Sequence, residues 1–390
     1  MLRDPLSIMM LSQRIPPASC TGAPLQAWRL SRALAGLGLE VEVTTTLPFG
    51  ISAAAPPGDD IPVQHLSYPE LPGLAAMARF ARGARLSFPA SRWDVVHGHA
   101  LSPMILGAAL AKDEDSAPFL VKPSIGGQHS EGEIQRICDS PAFPIFRKAL
   151  HKIEMFAVLD DLVEQDLASV GIPAQRMRRV DNGIDLQAYY PATAASKADL
   201  RLKFKLSGEA NVLLFCGQLT SRKGVEELLA AWNTEFAHAH NAVLAICGDG
   251  PLREEVERTC ARSRGSVVYF GPVADSSEYI RMADILVLPS RCESFGNVVI
   301  EALASGVPVA STACGIAPRV LADGRCGWLI ADTSKEAIES TLHAAFSVKV
   351  SWEKMATEGR RVAEAFSFER VAENYTRLYL ELVADSRAGF

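Results

Sequence analysis

Short apolar runs recur along this chain, separated by stretches in which apolar positions return at helical spacing. Residues 7–11 and 94–97 read as buried strands, and 41–45 alternates as a strand. Residues 119–121 are again extended. Helical periodicity occupies 26–37 and 102–111, and a loop rich in Pro, Ser and Gly fills 13–24. This is a βαβ pattern, which favours a parallel sheet covered on both faces. Residues 186–197 turn polar and contain proline, the best linker candidate. A second series follows, with strands predicted at 211–217, 242–248, 266–270, 285–288, 307–310 and 328–330. Helices fall between them at 225–232 and 252–262, and a long helix at 368–382 ends the pattern.

The 390 residues are 48% hydrophobic, so two domains are expected. A net charge of −6 argues against wrapping nucleic acid. The eight cysteines are scattered without a CxxC pair, which points to reduced core thiols rather than a zinc site. Asp59-Asp60 and Asp160-Asp161 read as surface pairs, and no Asp-x-Asp stands at a strand end, so no metal is expected. The first residues form no signal peptide, and no apolar run approaches membrane-spanning length. A cytoplasmic protein follows from that reading, with peripheral contact at the inner face of the membrane left open. Arg79, Arg82, Arg85, Arg147, Lys148 and Lys152 would carry such a contact, against the plainer reading of a solvated basic face.

One stretch carries the chemistry. From Pro289 to Pro308, Glu293 lies in a polar loop with Phe295, Gly296 and Asn297, and Glu301 follows inside an apolar helical run. Upstream, Gly217-Gln218-Leu219 and Arg222-Lys223-Gly224 link a strand to a helix whose free N–H groups suit an anion. Gly248-Asp249-Gly250-Pro251 makes a similar turn. The arrangement resembles the Glu-x7-Glu signature of the retaining glycosyltransferases of family 4. The resemblance spans nearly the whole chain and is stronger in its second half.

The resemblance implies an α/β GT-B fold, two doubly wound Rossmann-like domains facing across a cleft. Residues 1–188 would bind the acceptor, 189–367 the nucleotide sugar, and the helix of 368–390 would cross back to the first domain. It implies donor contacts from Gly22, Gln218, Arg222, Lys223, Gly250, Glu293, Phe295, Gly296, Asn297 and Glu301. Glu293 would meet sugar hydroxyls, Glu301 the ribose diol, and Lys223 the diphosphate. His99, in the Asp94-Val95-Val96-His97-Gly98-His99 strand end, joins Lys223 and Glu293 as a catalytic candidate, while His97 packs inside. Lys122 and His129 are acceptor-side candidates. Two positions depart from the family: Gln218 stands where an arginine is usual, and Arg319 or Pro318 where a glutamate is. Arg222 is a candidate to compensate for Gln218.

The implied reaction is retaining hexosyl transfer from a nucleoside diphosphate sugar, a UDP-sugar or GDP-mannose, to an acceptor hydroxyl without a cofactor. The acceptor is a glycan, a lipid-linked compound or a small molecule, and the enzyme a monomer or homodimer. Nucleotide-sugar epimerisation is the rival reaction, and a catalytically lapsed sugar-nucleotide binder the rival class.

Overall fold

The computed structural model describes residues 5–16, 22–48, 61–68, 75, 77–78, 88–127 and 132–388. The chain divides into two units, Met1–Gly183 with Phe368–Phe390, and Ile184–Ser367. The division falls after Gly183, a few residues before the 188/189 boundary read from composition. The polar stretch that suggested a linker is already folded: Thr193 caps a helix over Ala194–Lys203, its hydroxyl accepting from Ser196 N.

The first unit holds seven strands: β1 Ser7–Ser12, β2 Glu40–Pro48, β3 Val63–Tyr68, β4 Val95–His99, β5 Phe119–Lys122, β6 Met155–Val158 and β7 Met177–Arg179. All pair in parallel, in the order β3-β2-β1-β4-β5-β6-β7. Side chains alternate between two apolar layers. Met9, Leu11, Val96 and Val121 enter one, and Ile8, Met10, Val95 and Leu120 the other. Each central strand therefore reads as a continuous apolar run. The helix Phe368–Ala388 belongs to this unit and contributes Phe368, Tyr375 and Tyr379 to the second layer.

The second unit holds β8 Asn211–Cys216, β9 Ala242–Cys247, β10 Val267–Gly271, β11 Ile285–Leu288, β12 Val309–Thr312 and β13 Gly327–Ile330. These are again all parallel, in the order β10-β9-β8-β11-β12-β13. In each sheet the strand order reverses once, between β1 and β4 and between β8 and β11. Connections leave such a point in opposite directions, so an opening forms beyond the carboxyl ends of the two strands, where doubly wound sheets bind ligands. The candidate residues lie at these two places.

Candidate functional site

In the second unit the chain leaves β8, turns through Gly217 and a short 3-10 segment Ser221–Lys223, and enters the helix Val225–Ala231. Gly224, between the two, has φ +68°, and a Cβ there would lie 2.1 Å from the Pro289 carbonyl oxygen. Only glycine permits that approach, which presses the loop after β8 against the loop after β11. Arg291 fastens them further. Its N–H donates to the Arg222 carbonyl at 2.8 Å, its Nε donates to the Ser221 carbonyl, and its guanidinium pairs with Glu227.

Glu293 sits in this junction, 7% exposed. Its Oε1 accepts from the Lys223 ammonium and, at 2.7 Å, from the Ser290 hydroxyl. Arg222 Nη1 lies 3.8 Å from Oε2 and donates to the Cys292 carbonyl at 2.9 Å. Arg222 thus turns toward the Glu293 loop, a direction the sequence alone does not give. Two cations flank one carboxylate, so the cluster carries an excess positive charge. Gln218 is exposed, and its side chain makes no hydrogen bond among the described residues.

The other donor-side candidates surround this cluster. Gly250 packs on the β8 turn, where a Cβ would lie 2.5 Å from the Leu219 carbonyl oxygen, and Leu219 N donates to the Asp249 carbonyl. Phe295 is buried edge-on against Phe366. Gly296, at φ +79°, precedes the helix Asn297–Ala304, and no side chain caps that end. Glu301, one turn into it, is partly exposed and close enough to act on Cys216, whose thiol is pushed up to about 12 by burial first and by that carboxylate second. Arg319 lays its guanidinium 4.9 Å from the Phe366 ring. Its position is therefore occupied by a packing contact in place of a carboxylate.

In the first unit, His99 ends β4 and pairs in register with Ser12 on β1 and Lys122 on β5. The His99 ring is buried and stacked on His97, with centroids 4.5 Å apart, and among the described residues neither of its nitrogens has a hydrogen-bond partner. Burial first, then the charges of His97 and Lys122, hold His99 well below the usual imidazole range. His97 is held inside by Tyr379, whose hydroxyl lies 2.7 Å from Nδ1. Tyr379 is thus more than packing. The Lys122 amine is buried and bonds to Asn182 Oδ1, and burial pushes it down to about 7 against the opposing pull of Asp181. Ala100 follows His99 with φ +68°, a strained geometry for a non-glycine residue that its N–H bond to the Lys122 carbonyl helps to hold.

Several features were not legible from motifs. Ser290 and Asn182 are direct partners of Glu293 and Lys122. Glu133 is a buried clasp, its carboxylate accepting from Leu101 N, Ser124 N and Ser124 Oγ, so that it ties the loops after β4 and β5. Asp160 is no free surface group, since it caps the helix Asp161–Ser169 through Val163 N. Lys152 turns inward to the carbonyls of Leu110 and Lys112, which leaves Arg147 and Lys148 as the exposed basic pair beside Ile145. Gly22 opens the helix Gly22–Gly36 with free space around it. His129, Cys20, Asp59, Asp60, Arg79, Arg82 and Arg85 lie outside the described residues. Among the described residues the cysteines are free thiols, no group of three or more His, Cys, Asp or Glu side chains could hold a metal ion, and no helix is long and apolar enough to cross a membrane.

Two family models match the chain: Glycosyltransferase Family 4 over residues 21–188, and Glycosyl transferases group 1 over residues 210–347. The D-inositol 3-phosphate glycosyltransferase 2 of Catenulispora acidiphila is 31% identical over 340 residues, covering 77% of this chain and 76% of its own length. The D-inositol 3-phosphate glycosyltransferase of a Nocardioides species is 26% identical, covering 92% of this chain and 84% of its own. Sucrose-phosphate synthase from Thermosynechococcus elongatus shares the fold with a TM-score of 0.76 at 20% identity, over 97% of this chain and all of that one.

Proposed function

From the premise that this chain belongs to glycosyltransferase family 4, and so moves a hexosyl group from a nucleoside diphosphate sugar to an acceptor hydroxyl, we propose that the transfer retains the anomeric configuration and that the second unit holds the donor around Glu293. The observation that carries this reading is the Glu293 carboxylate held by Lys223 and Ser290 with Arg222 alongside, at the strand-order reversal of that sheet. Lys223 and Arg222 are released from Glu293 to meet the diphosphate, where negative charge grows as the leaving group departs. The N–H groups of Phe295, Gly296 and Asn297 add to that, and Gly250 lets the backbone come close. Gln218 donates one hydrogen bond and no charge. Glu293, freed in turn, accepts from sugar hydroxyls, and Glu301 from the ribose diol, two vicinal donors for two carboxylate oxygens.

The acceptor oxygen bonds to the anomeric carbon on the face from which the diphosphate leaves, and its proton passes to a leaving phosphate oxygen. A double displacement would need a second carboxylate about 5 Å across the anomeric carbon, and Glu301 is engaged with ribose in this reading. His99, Lys122 and His129 serve the acceptor side, with Gly22 near the donor. The donor is a UDP-sugar or GDP-mannose, and the protein acts in the cytoplasm with a weak peripheral membrane contact through Arg147, Lys148 and Ile145.

Calorimetric titration with nucleoside diphosphate sugars, without added metal, tests the donor assignment. One sugar nucleotide binding at micromolar affinity, weakened in R222Q and E293Q, supports it. Binding indifferent to both substitutions sinks it, and an inverted anomeric centre in the product sinks the front-face route.

A further inference from the structure

Several buried or half-buried cations among the described residues pair with an anion. Lys197 and Arg201 share Asp284, Lys112 meets Glu154, and Lys223 meets Glu293. Lys122 differs. It is 5% exposed, yet among the described residues its amine bonds only to the neutral amide oxygen of Asn182 and makes no ion pair, the Asp181 carboxylate acting on it only at longer range. Its register partner on the next strand is His99, 2% exposed, with both ring nitrogens unpartnered. Buried polar groups are almost always hydrogen-bonded, and a buried charge is almost always paired. Two such exceptions side by side, at the carboxyl ends of β4 and β5, mark a place suited to a ligand. Such a ligand accepts hydrogen bonds from an ammonium and an imidazole N–H, and a negative charge on it would add to the distant pull of Asp181 on Lys122.

We propose that Lys122 and His99 receive an oxyanion, a phosphate or carboxylate group carried by the acceptor. This rests on the reading that the first unit holds the acceptor, and it deepens that reading by giving the acceptor a charge. Asn182 is a positioning residue, since it fixes the Lys122 amine through Oδ1. Glu133 holds the Leu101 and Ser124 backbones, just beyond His99 and Lys122 in sequence, and so fixes the mouth of the site.

The test is calorimetric titration of the full chain with inorganic phosphate and, separately, with malonate, each in saturating UDP or GDP as the donor screen selects. Wild-type protein is expected to bind one of the two anions. K122M should bind it about 10- to 100-fold more weakly, the loss of one charge-assisted hydrogen bond, and K122R should recover much of the difference. Phosphate bound and malonate refused assigns a phosphorylated acceptor, and the reverse a carboxylated one. In wild-type protein carrying 13C-labelled lysine, the anion should also move one lysine Cε resonance, a readout that needs no variant to fold. Equal binding by wild type and K122M, or no binding and no shifted resonance, overturns the proposal. Anion binding abolished by the nucleotide overturns it too, because the site would then belong to the donor diphosphate. If K122M weakens the anion but the anion competes with donor instead of acceptor in transfer assays, the oxyanion site stands and the acceptor reading falls.

Discussion

Replacing Lys122 by methionine should stabilise this protein, and the gain should vanish in alkali. Burial moves the amine from its ordinary value of 10.5 down to about 7. At about 1.4 kcal/mol per tenfold change in proton affinity, that displacement amounts to about 5 kcal/mol. The sign follows from proton counts. Between about pH 7 and pH 10.5 the unfolded chain keeps the proton and the folded chain sheds it, so stability rises with pH across that window. Below it the folded protein carries the full cost of a buried, unpaired ammonium; above it the cost is gone. K122M removes this cost but also the bond to Asn182, worth about 1 kcal/mol. The expected net gain is about 2–4 kcal/mol at pH 6.5, shrinking to about zero by pH 9.5. Urea denaturation of both proteins at the two pH values reads it directly, provided the transitions of the two units are fitted separately. A K122M protein less stable than wild type at pH 6.5, or a difference that ignores pH, would refute the claim that burial of Lys122 outweighs the pull of Asp181.

Other perturbations bear on the remaining contacts. E293Q should cut transfer about 100-fold, the scale of one lost electrostatic contact in an active site, and E293A should also destabilise the second unit by about 3 kcal/mol by stranding Lys223; steady-state kinetics and urea titration separate the two. G224A places a Cβ against the Pro289 carbonyl at positive φ, so it should cost well over about 1 kcal/mol and weaken donor binding by calorimetry, whereas G22A, at φ +58° but with open space around it, should cost only the left-handed backbone strain of about 1 kcal/mol. Y379F deprives a buried imidazole of its partner and should lower the stability of the first unit by about 1–3 kcal/mol in urea. Because burial holds His97 and His99 well below the usual imidazole range, both stay neutral through neutral pH. The kcat/KM profile should therefore show no break from them near pH 6.5.

The alternation of short apolar runs and helical stretches was enough to read two parallel sheets, because central strands buried on both faces cannot avoid long apolar runs. The strands that escaped are those with another reason for their composition. β3, Val-Gln-His-Leu-Ser-Tyr, and β7, Met-Arg-Arg, are the two edge strands of the first sheet, with less to bury, and β6 is four residues between helices, too short to show a period. The Glu-x7-Glu stretch was legible because its residues are close in sequence. The direction of Arg222 was not, since it depends on a carbonyl seventy positions away. Lys122 reads from sequence as an acceptor-side candidate, but not as a buried amine. Its isolation comes from a fold that buries it beside Asn182, sixty positions on, and no local pattern records that. The family departures at Gln218 and Arg319 were visible at once, but only geometry shows that one is left in solvent and the other is engaged by an aromatic ring.

The division of the chain at Gly183 and Phe368 also orders its biosynthesis. The second unit is one continuous segment, 184–367, closed by the bridge between Ile184 and Ser367. Its chain is complete before synthesis of the last helix begins. The first unit is split, and until Tyr375 and Tyr379 emerge one layer of its sheet lacks a wall and His97 lacks its hydroxyl partner. The earliest-made half is thus the last to be finished. A nascent chain stalled before residue 368 would carry the whole second unit and a first unit with one apolar face open to chaperones, and early translation stops in the last helix should yield aggregation rather than a working half-enzyme.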